Sequence, residues 1–185
     1  IIKKFKKKVD WVLVVVHWGD ELFAYPRVEE RKAARFLAED GADIIIGQHP
    51  HVVRGMEIIA GCPVFYSLGN FYFSDIRDRL GGWFSIEAPR NKEGLGVIID
   101  LSKGGKVRWS TKSFWRKDDL TVSDRLHRAE RRMMRVSKPL RLDRNAEYGE
   151  WYTKKRFWFD RIGYRFHFRL WQMGMREIVT TGFRM

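Results

Sequence analysis

"VVVHWGDELFAYP" (residues 14–26) and "GADIIIGQHPHV" (residues 41–52) decide the fold. Each is an apolar, β-branched run that ends in histidine. Residues 11–16 are continuously apolar, which predicts a strand covered on both faces, and residues 44–46 predict a second short buried strand. Between them Pro26 stands where a helix can begin, Val28, Ala33, Phe36 and Leu37 supply an inner face, and Gly41 ends it. Strand, helix and strand within about 35 residues predict a βαβ unit, whose two strands are parallel.

Parallel strands end on the same side of a sheet, and α/β proteins hold their ligands there. His17 and the pair His49 and His51 each lie just past such an end, so the three are expected to converge. In "HPH" the outer residues are two apart, so extended backbone would send both side chains to one face. Pro50 fixes its own φ and favours an extended His49, which would hold that arrangement. Two imidazoles with a third from the neighbouring strand suit zinc, iron and other first-row metals.

One histidine after a strand is ordinarily a hydrogen-bonded structural residue, and "HPH" by itself is compatible with an ordinary loop. Three of the five histidines at converging strand ends point to a metal instead. His127 and His167 lie among arginines in surface segments and are read as solvated. Glu21 follows His17 closely and can orient a ligand or contact substrate, whereas Asp20 is read as solvated. Asn70, in "SLGNF", serves a turn, because Gly-Asn pairs tolerate left-handed backbone. The sequence holds no Walker A loop, no HExxH and no GxSxG elbow.

The rest of the chain reads as follows. Residues 1–8 form a basic surface helix with Ile2 and Phe5 at helical spacing. Residues 52–59 and "PVFYSLGNF" are β, turning at Gly61. "GLGVIIDL" and "KVRWSTKSFW" make a hairpin joined by residues 102–105, so Gly104, Gly105 and Lys106 are a turn and not a phosphate cradle. "TVSDRLHRAERRMMRV" predicts a helix with Leu126, Ala129, Met133 and Val136 inward and a Thr121–Asp124 capping box. Tyr148, Trp151, Tyr152, Lys155 and Phe159 predict another. "YRFHFRLW" fits a strand and a helix equally well.

Of the 185 residues 44% are hydrophobic and 15% aromatic, enough for one real core plus an extension. The single Cys62 excludes an internal disulfide framework. The net charge of +13 is placed unevenly: residues 1–100 carry 14 Lys+Arg against 14 Asp+Glu, and residues 101–185 carry 22 against 9. That asymmetry predicts two roles in one chain. The division expected is residues 1–118 as the metal-type domain and residues 119–185 as a basic, aromatic-rich, mainly helical extension.

"HWGDE", "GADIIIGQHPHV" and "PVFYSLGNF", in this order and spacing, resemble the CapA/PgsA capsule-synthesis proteins, which are linked to poly-γ-glutamate within the calcineurin-like metallophosphoesterase superfamily. The resemblance covers about residues 1–115. It implies an α/β fold, part of a metallophosphoesterase-like α/β/β/α sandwich with a two-metal site between the sheets. It also implies that His17, His49 and His51 are ligands of divalent metal, Mn, Fe or Zn; Glu21 and Asn70 are the residues expected to touch substrate or to orient those ligands. Gln48, between Gly47 and His49, is one residue more than the simplest superfamily pattern. The family's earlier Asp and Asn-His motifs are absent from these residues, so the resemblance makes this chain the C-terminal half of the metal domain plus a tail.

The function expected from these readings is a capsule-type, metal-dependent phosphoesterase-like hydrolase that takes an anionic polymer or a phosphate-containing substrate. The catalytic residues are not assigned, and the fragment alone is expected to be inactive. The alternative is a non-catalytic envelope protein that binds or exports an anionic polymer. A nucleic-acid binder, suggested by a sequence pI of about 10.1, is a third and weaker class. The resemblance places the whole protein in the cell envelope, and the basic tail suits an anionic membrane surface.

Overall fold

The computed structural model describes residues 1–72, 76–77, 83–84, 89–101, 107–117, 120–142 and 145–164. The expected hairpin turn at residues 102–105, "YRFHFRLW" from Arg165 onward and His167 fall outside them. By its contacts the chain divides into two units, Ile1–Asp143 and Arg144–Met185.

The first unit begins with a short basic helix, α1 (Ile2–Lys6), followed by β1 (Leu13–His17), α2 (Val28–Glu39) and β2 (Ile44–Gln48). β1 and β2 are parallel, with Leu13 opposite Ile44 and His17 opposite Gln48, so the βαβ expectation holds. β3 (Met56–Ile59) and β4 (Cys62–Phe65) complete a sheet of order β1-β2-β4-β3, in which β4 runs parallel to β2 and antiparallel to β3. The β3–β4 turn uses Ala60 and Gly61, both at positive φ. β5 (Ile76–Arg77) and β6 (Trp83–Phe84) form a minimal antiparallel pair. β7 (Glu93–Asp100), β8 (Arg108–Lys117) and β9 (Leu120–Ser123) form an antiparallel sheet, and α3 (Arg128–Ser137) packs against β7 and β8.

The two larger sheets share one core. Ile44, Val53, Phe65 and Leu95 close on Ala129 and Met133, and Phe65 meets Trp109 edge to face at 5.1 Å. The chain at Gly69 and Asn70 passes close against β7, with an isolated bridge from Gly69 to Gly94. A side chain at Gly94 would bring its Cβ within 2.3 Å of the Asn70 carbonyl oxygen, so only glycine permits that crossing. The expected α/β class describes this unit, with α3 contributing to the core that the sheets share.

Several local expectations give way. β1 is the edge strand of its sheet among the described strands, and Leu13 and Val15 remain 50% and 55% exposed rather than covered on both faces. An apolar run reveals its own preference but not which neighbours reach it. In α2 the inner face is Glu30, Arg31, Ala34 and Ala38, and Phe36 is 66% exposed. Paired charges set this phase. Arg31 forks onto Glu57 at 3.0 and 2.9 Å and reaches the Leu140 carbonyl at 2.9 Å, while Glu30 meets Arg54. A charge that is paired and hydrogen-bonded can be buried at the expense of an aromatic ring one turn away.

The segment after Lys117 is also corrected. Residues 120–123 pair with β8 as a strand, and the helix starts only at Arg128. Thr121 belongs to β9 and its hydroxyl donates to the Phe71 carbonyl, so it forms no capping box. Asp124 instead accepts the backbone N–H groups of Leu126 and Arg128 at 3.0 and 2.9 Å, and the Ser113 hydroxyl accepts that of Glu130 at 3.0 Å. Leu126 is exposed, whereas Ala129, Met133 and Val136 are buried as their spacing requires.

The second unit contains α4 (Asn145–Trp158), which runs into a π-helical turn at Phe159–Tyr164. Tyr148 lies at its start with its ring 5.7 Å from Trp151 and 6.2 Å from Tyr152. Phe157 and Trp158 are exposed near its end. Among the described residues no helix is long and apolar enough to cross a membrane.

Candidate metal centre

The register of β1 on β2 builds the site. Because His17 stands opposite Gln48, the residue after Gln48 emerges beside it, and the Trp18 N–H donates to the Gln48 carbonyl at 3.2 Å. The rings of His17 and His49 are consequently 4.5 Å apart, centroid to centroid. His49 and His51 follow at 6.2 Å.

The convergence is reached by a different backbone from the one expected. His49 has φ of +96° and His51 φ of +56°, so neither is extended. Two left-handed residues flanking Pro50 curl the chain tightly. That conformation costs a non-glycine residue roughly 1–3 kcal/mol and survives only when surrounding contacts enforce it. One such contact is the Leu22 N–H donating to the Pro50 carbonyl at 2.8 Å, with Leu22 itself at φ +59°. The Trp18–Pro26 loop and the His-Pro-His segment are thereby joined backbone to backbone.

This join brings Glu21 to the histidines. One ligand atom from each of Glu21, His49 and His51 lies within 4.8 Å of the others, with the histidines half-buried and Glu21 exposed. His17 approaches this group through His49. Two imidazoles and a carboxylate form a donor set that fits first-row divalent cations. Asn70 is buried rather than a surface turn residue. Its Oδ1 lies 2.9 Å from His51 Nδ1, and its Nδ2 donates to the Asn91 carbonyl at 3.1 Å. Asp20 is not simply solvated, since it pairs with Arg27.

Three contributors escaped the reading of the residues. Trp18 donates its indole N–H to the Tyr66 carbonyl at 3.0 Å and stacks on that ring at 5.6 Å, fixing the residue after His17. Arg54 and Glu30 form a fully buried ion pair beneath the loop, with Nη1 to Oε2 at 3.0 Å. A signal for Arg54 was present: a single arginine inside the apolar run "HVVRGMEII" needs a buried partner. Nearby, burial raises the Tyr25 phenol above its ordinary range, opposed by the positive charges of Arg135 and Arg132. Burial and the charge of Arg132 lower Arg90.

The class defined so far is an α/β protein whose sheet gathers histidines and a carboxylate at parallel strand ends. Comparison with known proteins makes the family particular. Residues 1–75 match the family model described as bacterial capsule synthesis protein PGA_cap. The chain is 38% identical over 109 residues to the PGA biosynthesis protein CapA of Bacillus subtilis (strain 168), covering 59% of this chain and 26% of that protein. It is 41% identical over 100 residues to the capsule biosynthesis protein CapA of Bacillus anthracis, covering 54% of this chain and 22% of that protein. An uncharacterized protein, y4sH of Sinorhizobium fredii (strain NBRC 101917 / NGR234), is 36% identical over 86 residues, covering 43% of this chain and 18% of that protein. Residues 1–75 are thus similar to CapA-type capsule-synthesis proteins. The chain spans about a quarter of the length of the first two relatives, 26% and 22%.

Proposed function

We propose that this chain supplies the histidine half of a metal site in a capsule-synthesis protein, and that the whole protein is a metal-dependent, phosphoesterase-like hydrolase of an anionic envelope polymer or its phosphate-containing precursor. The supporting observation is the meeting of Glu21, His49 and His51, with His17 against His49, in the segment that matches the capsule family. His17, His49 and His51 would hold divalent metal, Mn, Fe or Zn, with Glu21 beside or among the ligands. When bound, such ions polarise a phosphoryl or carbonyl oxygen and make water a nucleophile near neutral pH. The chain's own residues hold and orient: Asn70 fixes His51, and Trp18 fixes the strand end at His17. Two metals are expected in a protein of the relatives' length.

The second reading is an envelope protein that binds or exports an anionic polymer without turnover. It is favoured by the basic excess after residue 100, with 22 Lys+Arg against 9 Asp+Glu. Hydrolysis separates the two. Metal content and phosphodiester or phosphomonoester hydrolysis are measured in this chain, in a protein of the relatives' length, and in its His49→Ala and His51→Ala forms. The proposal expects metal in both chains, metal loss in both variants, and turnover by the longer protein only. Unchanged metal content in both variants removes the ligand assignment. Metal binding without turnover by the longer protein selects the second reading.

A further inference from the structure

We propose that Arg54 is the positioning residue of this centre: its buried guanidinium holds the backbone on both sides of Glu21 and so sets that carboxylate against His49 and His51. The inference rests on the reading of those three residues as metal-binding. Arg54 lies three residues past His51, and its side chain is 0% exposed. Its Nε–H donates to the Phe23 carbonyl at 2.8 Å and its Nη2 donates to the Asp20 carbonyl at 2.8 Å. Nη1 donates to both carboxylate oxygens of Glu30, at 3.1 and 3.0 Å.

The choice of partners is what assigns the role. Asp20 and Phe23 bracket Glu21 and Leu22, so one planar group grips the loop on either side of the exposed carboxylate. Glu30, on α2, fixes that group in turn. Gly19 shows how closely the pair lies under the backbone: a Cβ there would stand 2.2 Å from Glu30 Oε1 and 2.3 Å from Arg54 Nη1. The loop does not hold itself, because Leu22 is left-handed at φ +59° and a non-glycine residue relaxes from that region unless constrained. Arg54 constrains it from below and the Leu22 N–H bond to Pro50 from the His-Pro-His side, beside the Asp20–Arg27 pair. Arg54 belongs to the same segment as His49 and His51, so it makes the two ligand-bearing stretches one unit. A buried ion pair contributes little net stability compared with apolar residues of the same volume, whereas its geometry is specific. Lysine, with one compact head, cannot span two carbonyls and a carboxylate as the guanidinium fork does.

The test is a double-mutant cycle on the full chain with Co²⁺ as probe, read by calorimetry and by d–d absorption. The forms compared are unsubstituted, Arg54→Lys, Glu21→Ala, the double variant and His49→Ala. Arg54→Lys and Glu21→Ala are each expected to weaken Co²⁺ binding about ten-fold or more, the range for groups that orient ligands. In the Glu21→Ala background Arg54→Lys should add less than about two-fold, because its effect runs through the missing carboxylate. Losses that multiply in the double variant, or an unchanged affinity in Arg54→Lys, overturn the proposal. Hydrogen exchange supplies a readout without metal: Arg54→Lys should speed exchange of the Leu22 amide about ten-fold or more and leave the Ile46 amide unchanged. Equal Leu22 protection in both forms also overturns it. If Co²⁺ binding does not depend on His49, the metal reading fails by itself and the Leu22 amide decides the role of Arg54. Should Arg54→Lys not fold, Glu30→Gln loosens the same anchor and replaces it in both measurements.

Discussion

His51 and Asn70 fix each other's chemistry across a 2.9 Å bond from Nδ1 to Oδ1. The amide orientation is not arbitrary, because the other end of Asn70 faces the Asn91 carbonyl at 3.1 Å, which only an N–H can satisfy. Oδ1 therefore faces His51, and a carbonyl oxygen can only accept. Neutral His51 must carry its proton on Nδ1, which makes Nε2 the lone-pair nitrogen.

From this follows a spectroscopic outcome. Ring ¹⁵N shifts of the neutral protein should show His51 as the Nδ1–H tautomer, and Asn70→Ala should return it toward the mixture of free imidazole. The same change should weaken divalent-metal binding about ten-fold, as losing a group that orients a ligand does. An Nε2–H tautomer in the unsubstituted chain would contradict the assignment.

Glu30→Ala leaves the Arg54 guanidinium buried without its carboxylate. Removing one member of a buried pair costs about 3–5 kcal/mol, because a charge remains in a poorly solvating site. Urea unfolding should show a loss of that size. Arg35→Ala, which removes the exposed pair with Glu39 at 4.0 Å, should change stability by less than about 0.5 kcal/mol.

Cys62 should be inert in the folded chain. It is buried in β4, and burial, reinforced by the negative charge of Asp43, pushes its thiol from 9.0 to about 12. Thiolate is the reactive form, so iodoacetamide at pH 8 should label Cys62 only after unfolding. The linkage has a definite sign. Between pH 9 and about 12 the unfolded thiol has lost a proton that the folded one keeps, so this group's contribution to stability falls as pH rises through that window and is complete below it. Replacement by Ala should flatten the alkaline limb of the stability curve.

The second unit is expected to dock on an anionic membrane surface independently of the histidine cluster. Phe157 and Trp158 are exposed at the end of α4 beside Lys154 and Lys155, and each Lys or Arg near anionic lipid contributes about 1 kcal/mol. Co-sedimentation with anionic and neutral vesicles, at low and high salt, compares the whole chain with one ending at Asp143. The cut must spare α3, since Ala129 and Met133 belong to the core of the first unit. The whole chain should partition into anionic vesicles and be released by salt. Equal partitioning of both forms assigns the aromatics to internal packing.

Periodicity and order are readable from the residues alone. Two apolar β-branched runs separated by a helical stretch sufficed for a parallel β1–β2 pair. Parallel strands necessarily deliver their C-terminal residues to one edge, so the meeting of His17, His49 and His51 is legible in the sequence. The hairpin of β7 and β8 was legible for the same kind of reason, because alternation along a chain is a local property. Tertiary structure decided everything that depends on a partner distant in the chain. Whether β1 is covered depends on its neighbours in the sheet, and the phase of α2 on Glu57 and Arg54, charged residues outside the helix. The same holds at the site. Pro50 argues locally for an extended His49, but the Leu22 N–H bond to Pro50 holds a left-handed pair instead, and Asn70 becomes a buried orienting group only because Asn91 and His51 flank it. Local preferences of about 1 kcal/mol yield to buried hydrogen bonds and ion pairs that cannot be left unmade, and the partners in those contacts are chosen by the fold.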